Sequence, residues 1–168
     1  INGLSLKDGS VIDTKPYESE AMSTRNKDFN LATSFKNEWK LRVFEGPEYD
    51  LVNNTSKKNI FSSIFSVSND SNRMGNRLEG KDIELTNYYQ LVSCPMSIGT
   101  IQCPKNGSPI ILGCDSQTLG GYPRILQIAA VDLQLIGQLR PNDKISFEKI
   151  TFNQAREELK EQNSLFPF

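Results

Sequence analysis

The chain has 168 residues, of which 37% are hydrophobic and 23% are charged, and this fits one soluble domain of ordinary size. Its formal net charge of -1 gives no electrostatic sign of a nucleic-acid or anionic-membrane partner, and no run of about 18 apolar residues predicts a transmembrane helix. Histidine is absent, which excludes a Ser-His-Asp triad, a Cys-His dyad and any histidine-ligated metal site within this chain.

The cysteines Cys94, Cys103 and Cys114 are odd in number and lack Cys-x-x-Cys spacing. This pattern favours reduced structural thiols in a cytoplasmic protein over a disulfide framework or a zinc site. No secretory signal is recognisable, and the chain begins at Ile1 without an initiator methionine. We interpret this beginning as that of a processed or cut chain.

Residues 1–38 are predicted to be the remnant of an N-terminal region followed by a linker. A hairpin is expected over 1–18, where the turn dipeptide Asp8-Gly9 separates two short apolar pairs. Residues 19–38 are polar and show little periodicity, which is typical of a linker or a loop. Residues 39–168 are expected to form the main domain.

The main domain is predicted to consist of many short strands with glycine and proline turns, which favours a mainly β barrel or sandwich. Residues 50–60 are expected to be irregular or a short helix, and Asp132 is expected to cap another short helix. The capping-box pattern of Thr151 and Gln154 predicts a C-terminal helix that ends near Gln162. The candidate strands are 39–44, 64–68, 73–78, 91–92, 99–103, 109–114, 125–131 and 145–147.

Arg73 and Arg77 are four positions apart in a predicted extended segment. Because strand side chains alternate, both guanidinium groups would point to one face, and such groups suit bidentate binding of carboxylate or phosphate. Gly75 between them would let a ligand or another backbone approach closely. The residues alone leave a second interpretation open, in which both arginines are structural and bind loop carbonyls.

A second polar cluster, residues 115–123, directly follows a predicted buried strand, where a rigid scaffold commonly presents a site. Gly120 and Gly121 could take positive φ angles and point their N–H groups at an anion. The alternative interpretation is a tight turn that closes a barrel, with Tyr122 packed on its surface.

Three further side chains of this cluster have useful chemistry. Asp115 could accept a proton or orient an arginine. Gln117 and Thr118 could hydrogen-bond an amide, ureido or lactam group. These residues are therefore candidates for the chemistry of a site, subject to the same structural alternative.

The ordered motifs of this chain resemble those of the allophanate hydrolase subunit 2 family, a biotin-dependent carboxyltransferase family that includes the C component of 5-oxoprolinase. The motifs are SNRMGxRLxG at 71–80, GTIQ at 99–102, DxQTxGGYP at 115–123, and DL at 132–133 followed by QLRP at 138–141. The resemblance implies a cyclophilin-like β-barrel with a short helix and a C-terminal helix. It also implies kinship with the carboxyltransferase part of urea carboxylase.

The family resemblance implies a subunit or fragment of a carboxyltransferase-type or ATP-dependent 5-oxoprolinase complex, which binds an amide, lactam or urea-like substrate in a barrel cleft. We expect an enzyme subunit that is inactive alone. The alternative function is a regulatory protein-binding module that antagonises a kinase inhibitor without catalysis. The expected site comprises Arg73, Arg77, Asp115 and Gln117 as catalytic residues, and Asn72, Gly75, Thr118, Gly120, Gly121 and Tyr122 as substrate-binding residues.

The same resemblance implies partners for this chain. They are a subunit 1-type, cyclophilin-like protein, a third subunit in some complexes, and a small amide or lactam substrate. No cofactor is expected to bind this chain directly, while the complex would use ATP on its partner subunits, or biotin. No metal, nucleic-acid or membrane partner is expected, and the expected location is the cytoplasm.

Overall fold

The computed structural model describes residues 36–88 and 91–164. The predicted hairpin over 1–18 and the apolar tail at 165–168 lie outside the described residues. The domain boundary between residues 38 and 39 stays a prediction. Within the described ranges, no helix is both long enough and apolar enough to span a membrane.

Nine short strands lie in the described part of the chain, and glycine or proline turns separate several of them. The strands are β1 Glu38–Glu45, β2 Phe65–Val67, β3 Gly75–Glu79, β4 Cys94–Pro95, β5 Thr100–Gln102, β6 Ile110–Leu112, β7 Leu119–Gly120, β8 Arg124–Ile128 and β9 Lys144–Lys149.

Seven of these strands close into a barrel in the order β1-β8-β5-β6-β3-β2-β9, and β4 pairs with β7 in a separate two-stranded ribbon. The β1–β9 pair is parallel and the other barrel pairs are antiparallel. Inward-facing aliphatic side chains such as Leu41, Ile101, Ile111 and Ile145 are fully buried and fill the barrel. The predicted mainly β barrel is therefore confirmed.

Strand β1 shows how the sequence produces a barrel wall. Its residues alternate, so that Trp39, Leu41 and Val43 are buried while their neighbours face outward or are half-buried. The strand ends at Glu45 and is followed by Gly46, where a Cβ atom would lie 2.2 Å from the carbonyl oxygen of Arg124. Only glycine permits this close approach, which lets the chain leave the sheet directly beside the start of β8.

Three α-helices surround the barrel: α1 Asn54–Ser62, α2 Leu133–Ile136 and α3 Phe152–Ser164. The segment 50–60, predicted to be irregular or a short helix, is mostly helical, because the side chain of Asn53 caps α1 by accepting a hydrogen bond from the backbone N–H of Ser56 at 2.7 Å.

The predicted capping box of α3 is confirmed. The backbone N–H of Gln154 donates to the hydroxyl of Thr151 at 3.3 Å, and the backbone N–H of Thr151 donates to the amide oxygen of Gln154 at 3.1 Å. This reciprocal pair begins the helix, which extends to Ser164, two residues beyond the predicted end.

The prediction that Asp132 caps α2 is wrong. Its side chain makes no cap hydrogen bond and instead accepts hydrogen bonds from the backbone N–H of Arg42 at 2.8 Å and from the Nε of the same residue at 2.9 Å. The arginine also contacts Glu158. The buried carboxylate of Asp132 therefore fastens the segment before α2 to β1, and Arg42 connects both to α3.

Other strand predictions also differ from the structure, and the strand predicted over 125–131 ends at Ile128. Leu91 and Val92 do not form a strand, although the N–H of Leu91 donates to the carbonyl oxygen of Gly121 at 2.9 Å. Residues 119 and 120 were expected to lie in a loop or turn, but they form β7 by pairing with Cys94 and Pro95. The pairing partner comes from a segment about 25 residues earlier in the chain, so local turn chemistry did not indicate it.

Candidate functional site

The two loops that contain the predicted site residues meet at one end of the barrel. The Nε of Arg73 lies 2.7 Å from Oδ2 of Asp115, and its Nη2 donates to Oδ1 at 3.2 Å. The backbone N–H of Asp115 also donates to the carbonyl oxygen of Arg73 at 3.2 Å. We call residues 71–74 and 113–115 the mouth loops.

The approach of the mouth loops depends on two glycines. Gly75 and Asn72 exchange two backbone hydrogen bonds of 3.1 Å, so that residues 72–75 form a closed turn. A Cβ atom at Gly113 would lie 2.4 Å from the carbonyl oxygen of Arg73. Glycine at position 113 therefore allows the second mouth loop to contact the first.

The prediction that Arg73 and Arg77 share one side of a strand is wrong. Arg77 lies in β3, but Arg73 lies in the turn that precedes it, because the hydrogen bonds between Asn72 and Gly75 close the chain before the strand begins. Arg73 lines a cavity of about 730 Å³ at the end of the barrel. Arg77 lines a different groove of about 780 Å³ on the outer face.

The outer groove contains the second predicted arginine and the predicted tyrosine. Arg77, Tyr122 and Lys105 line it together with Tyr88 and Asn106. Among the described residues, the guanidinium of Arg77 has no hydrogen-bond or ion-pair partner, and the residue is exposed. The N–H groups of Arg77 are therefore available to an anionic ligand, whereas Arg73 is held in an ion pair by Asp115.

The segment 115–123 is more than a tight turn, because β7 pairs with β4 and covers a buried glutamine of the barrel wall. Gln102 is 1% exposed, its Nε2 lies 3.4 Å from the sulfur of Met96, and its Oε1 accepts from Nε2 of Gln117 at 3.4 Å. A Cβ atom at Gly120 would lie 3.1 Å from Nε2 of Gln102. Glycine at 120 lets the ribbon lie against this amide.

The ribbon is held by backbone hydrogen bonds of two other predicted residues. The carbonyl oxygen of Thr118 accepts from the N–H of Met96 at 2.9 Å, and that of Gly121 accepts from the N–H of Leu91 at 2.9 Å. The expectation of positive φ at Gly120 and Gly121 is wrong, since within the described ranges the glycines with positive φ are Gly99 and Gly107. Gly120 cannot act as an anion-binding turn because it is part of a strand.

Sequence reasoning did not assign site roles to Gln102, Gln127 or Asn76. Oε1 of Gln127 accepts from the hydroxyl of Thr100 at 2.8 Å, and its Nε2 donates to the carbonyl oxygen of Ile98 at 3.0 Å, which fixes the chain just after β4. The available signal was a polar amide inside an otherwise apolar strand, and such a residue needs a hydrogen-bond partner when it is covered.

The shifted pKa values of Glu48 and Cys103 belong to residues of the barrel wall and not to the predicted site residues. The guanidinium of Arg124 donates two hydrogen bonds to Glu48, and this lowers the pKa of that carboxyl below its ordinary value. Burial raises the pKa of the Cys103 thiol to about 12. Within the described residues, no group of three or more His, Cys, Asp or Glu side chains could hold a metal ion.

The protein is thus a β-barrel with two candidate binding regions. One is the polar mouth formed by the two mouth loops, and the other is the outer groove beside the β4–β7 ribbon. The family model for the carboxyltransferase domain, subdomain A and B, matches residues 1–149, and the chain belongs to this family.

Relatives and solved structures agree with this assignment. The chain is 31% identical to the C component of 5-oxoprolinase from Escherichia coli over 166 residues, covering 99% of this chain and 52% of that protein. It is 28% identical to urea amidolyase of Saccharomyces cerevisiae, covering 92% of this chain and 9% of that protein. The crystal structure of the K. lactis urea amidolyase superposes with a TM-score of 0.71 at 27% identity, covering 76% of this chain and 8% of that chain.

Proposed function

We propose that the chain is the barrel portion of a subunit in a 5-oxoprolinase-type or related carboxyltransferase-type complex, and that its outer groove binds a small lactam or urea-like substrate. The chain spans about half the length of the Escherichia coli relative.

One observation carries this proposal, and it is the register across three strands. Ile110 of β6 pairs with Arg77 of β3 on one side and with Gln102 of β5 on the other. Paired residues point to the same face of a sheet, and neighbouring strands lie about 4.8 Å apart. The free guanidinium and the glutamine amide therefore stand on the same outer face, about 10 Å apart at the backbone.

This spacing suits a small substrate that carries both a carboxylate and an amide. Arg77 would bind the carboxylate through two parallel N–H donors. Gln117 lies beside Gln102 rather than in the lining of the groove, and because their contact is long at 3.4 Å, its amide would turn from Gln102 to the lactam N–H and carbonyl. Tyr122 would close the side of the groove.

The other predicted site residues would not contact the substrate but would hold the loop and the ribbon that carry Gln117 and Tyr122 in place. Arg73 and Asp115 fix the start of the 115–123 segment through their ion pair. Asn72 and Gly75 close the turn that places Arg73. The remaining predicted residues, Thr118, Gly120 and Gly121, hold the ribbon against the barrel wall.

Partner subunits would complete the reaction. ATP, or biotin in a carboxyltransferase-type complex, would be held by those subunits and not by this chain. Exposed apolar side chains on or beside the ribbon, Val92 and Leu119, are 91% and 58% exposed and support contact with another protein. The same two side chains also support the alternative function, a regulatory module that binds a kinase-inhibitor-like partner without turnover.

The test is ATP-dependent consumption of 5-oxoproline, urea or allophanate by the protein that carries this chain, assembled with its partner subunits. Replacing Arg77 by Met should lower kcat/KM for 5-oxoproline or allophanate, which both carry a carboxylate, by about 10- to 100-fold, since a charge-assisted hydrogen-bond pair is lost. Gln117→Ala should lower it as well.

The matched control is Arg156→Met, because Arg156 is an exposed arginine on α3 and does not line the groove. This variant should keep full activity. Full activity of the Arg77→Met complex would contradict the groove as the substrate site. Tight partner binding with no turnover of any of the three substrates would favour the regulatory module.

A further inference from the structure

The barrel-end cavity has a composition different from that of the outer groove. Its walls include Leu133, Ile136, Leu139, Ile98 and Pro141, and its volume is about 730 Å³. This volume lies within the range of about 300 to 1,000 Å³ that is common for small-molecule sites, and such sites combine apolar walls with a few polar groups. The cavity is therefore large and apolar enough to take a ligand of its own.

The polar group at the base of the cavity is Asn76. It is 9% exposed, and no partner for its side-chain amide exists among the described residues. In β3 it alternates with Gly75 and Arg77, and it shares the inward face with the fully buried Leu78. Because no completely buried side-chain nitrogen or oxygen of the described residues lacks a hydrogen bond, the amide of Asn76 reaches water through the cavity that it lines.

The charged group of the cavity is Arg73. Among the described residues that line the cavity, no other has a charged side chain. Asp115 accepts a hydrogen bond from Nη2 of Arg73 and lies 2.7 Å from its Nε in the ion pair. The remaining N–H donors of Arg73 are available to a second carboxylate. A carboxylate bound by Arg73 would extend its apolar body along α2, where Leu133 and Ile136 form the wall.

We propose that the barrel-end cavity is a second ligand site that binds an apolar-bodied monocarboxylate, with its head group on Arg73 and Asn76. The inference does not rest on the proposed function, because the residues that carry it line a different cavity from Arg77 and Tyr122. A compact polar lactam would leave most of these apolar walls uncovered. The ligand class is therefore distinct from the substrate class proposed for the groove.

The experiment uses decanoate as the probe and the ¹⁵N-labelled chain. Decanoate should shift the side-chain amide signals of Asn76 in a saturable manner. Decanamide, which has the same tail without the charge, should bind about tenfold more weakly, and butyrate should also bind more weakly because it covers less apolar wall. Asn76→Leu should weaken decanoate binding by about tenfold.

Because Asn76 is buried and its replacement can also affect folding, a variant at an exposed residue provides a second test of binding. Gln134 is an exposed residue of α2 that lines the cavity, and Gln134→Trp should narrow it and weaken decanoate binding. Gln138→Trp is the matched control, since Gln138 is also exposed but does not line the cavity, and it should bind decanoate normally.

A second readout is protection of Cys114, which is exposed and lines the same cavity. Decanoate should slow its reaction with N-ethylmaleimide in a Cys94→Ser background. The proposal is overturned if decanoate neither shifts the Asn76 amide nor protects Cys114, or if it binds equally well to the parent chain and to Gln134→Trp. Equal affinity for decanoate and decanamide would overturn the role of Arg73.

Discussion

The barrel wall and the mouth loops each contain an arginine that contacts both oxygens of one carboxylate, but the surroundings of the two pairs differ. In the wall, the side chains of Arg124 and Glu48 are 20% and 11% exposed. At the mouth, those of Arg73 and Asp115 are 79% and 47% exposed. Burial makes the wall pair costly to break, whereas solvent screens the mouth pair and leaves it free to exchange partners.

The thiols offer the largest contrast between wall and mouth. Burial raises the pKa of Cys103 to about 12 from 9.0, which lowers its thiolate fraction at neutral pH by about a thousandfold. Cys114 is exposed at the mouth. We expect Cys114 to react with a maleimide at least about a hundredfold faster than Cys103, measured by mass spectrometry of timed digests at about pH 7.5.

The control is the same reaction in denaturant, where both thiols should react at similar rates because burial is removed. Comparable labelling of Cys103 and Cys114 in the folded chain would contradict the closed wall around position 103.

The carboxylates give the next largest contrast. Asp132→Ala removes the acceptor of three donors on Arg42 and leaves a half-buried guanidinium with Glu158 as its remaining partner. We expect a loss of about 3 kcal/mol in the free energy of unfolding, measured by urea titration. Asp115→Ala should cost less than about 1 kcal/mol, since the mouth pair is exposed.

An equal loss of unfolding free energy in the two alanine variants would show that burial does not make the wall ion pair more stabilising than the mouth ion pair. Glu161→Ala, an exposed residue of α3, sets the baseline for a surface carboxylate. All three alanine variants are compared with the parent chain by the same urea titration. The comparison therefore uses differences in the free energy of unfolding and does not need its absolute value.

The barrel wall could be predicted from the sequence because its information is local. Alternation in β1 and the apolar run that begins at Ile125 indicate half-buried and buried strands, although β8 ends at Ile128, three residues before the predicted end at 131. The capping box at 151–154 is local as well, and it was confirmed. Barrel closure depends on contacts between distant segments and came from the resemblance, while the strand order was not predicted.

The sequence placed Arg73 and Asp115 together correctly, but it did not predict how the second arginine is arranged relative to them. Arg73 and Asp115 were assigned to one site, and the structure brings them together. Arg77 was placed beside Arg73 because the segment reads as a strand, yet the turn at 72–75 packs against Gly113, which is about 40 residues away in the sequence. A contact of this kind leaves no periodic signal in the sequence.

The last comparison concerns Glu48 in the barrel wall, and it tests how the stability contributed by its carboxylate depends on pH. The guanidinium of Arg124 lowers the pKa of Glu48 from its ordinary value of 4.5, so the folded state holds the ionised form more strongly than the unfolded state does. The resulting stability is fully present above pH about 4.5 and is lost as the pH falls through the lower pKa of the folded state. Glu48→Gln should therefore cost about 2 kcal/mol at pH 7.

The cost of Glu48→Gln should shrink as urea titrations are repeated at pH values below about 4.5, because the parent chain then loses the same interaction. Glu157→Gln, on the exposed face of α3, is the matched control and should show little cost at any of these pH values. A cost for Glu48→Gln that stays constant from about pH 7 to pH 3 would mean that the contact with Arg124 does not depend on the charge of Glu48. The wall pair would then act through its hydrogen-bond geometry alone, and the distinction between wall and mouth would rest on packing and not on electrostatics.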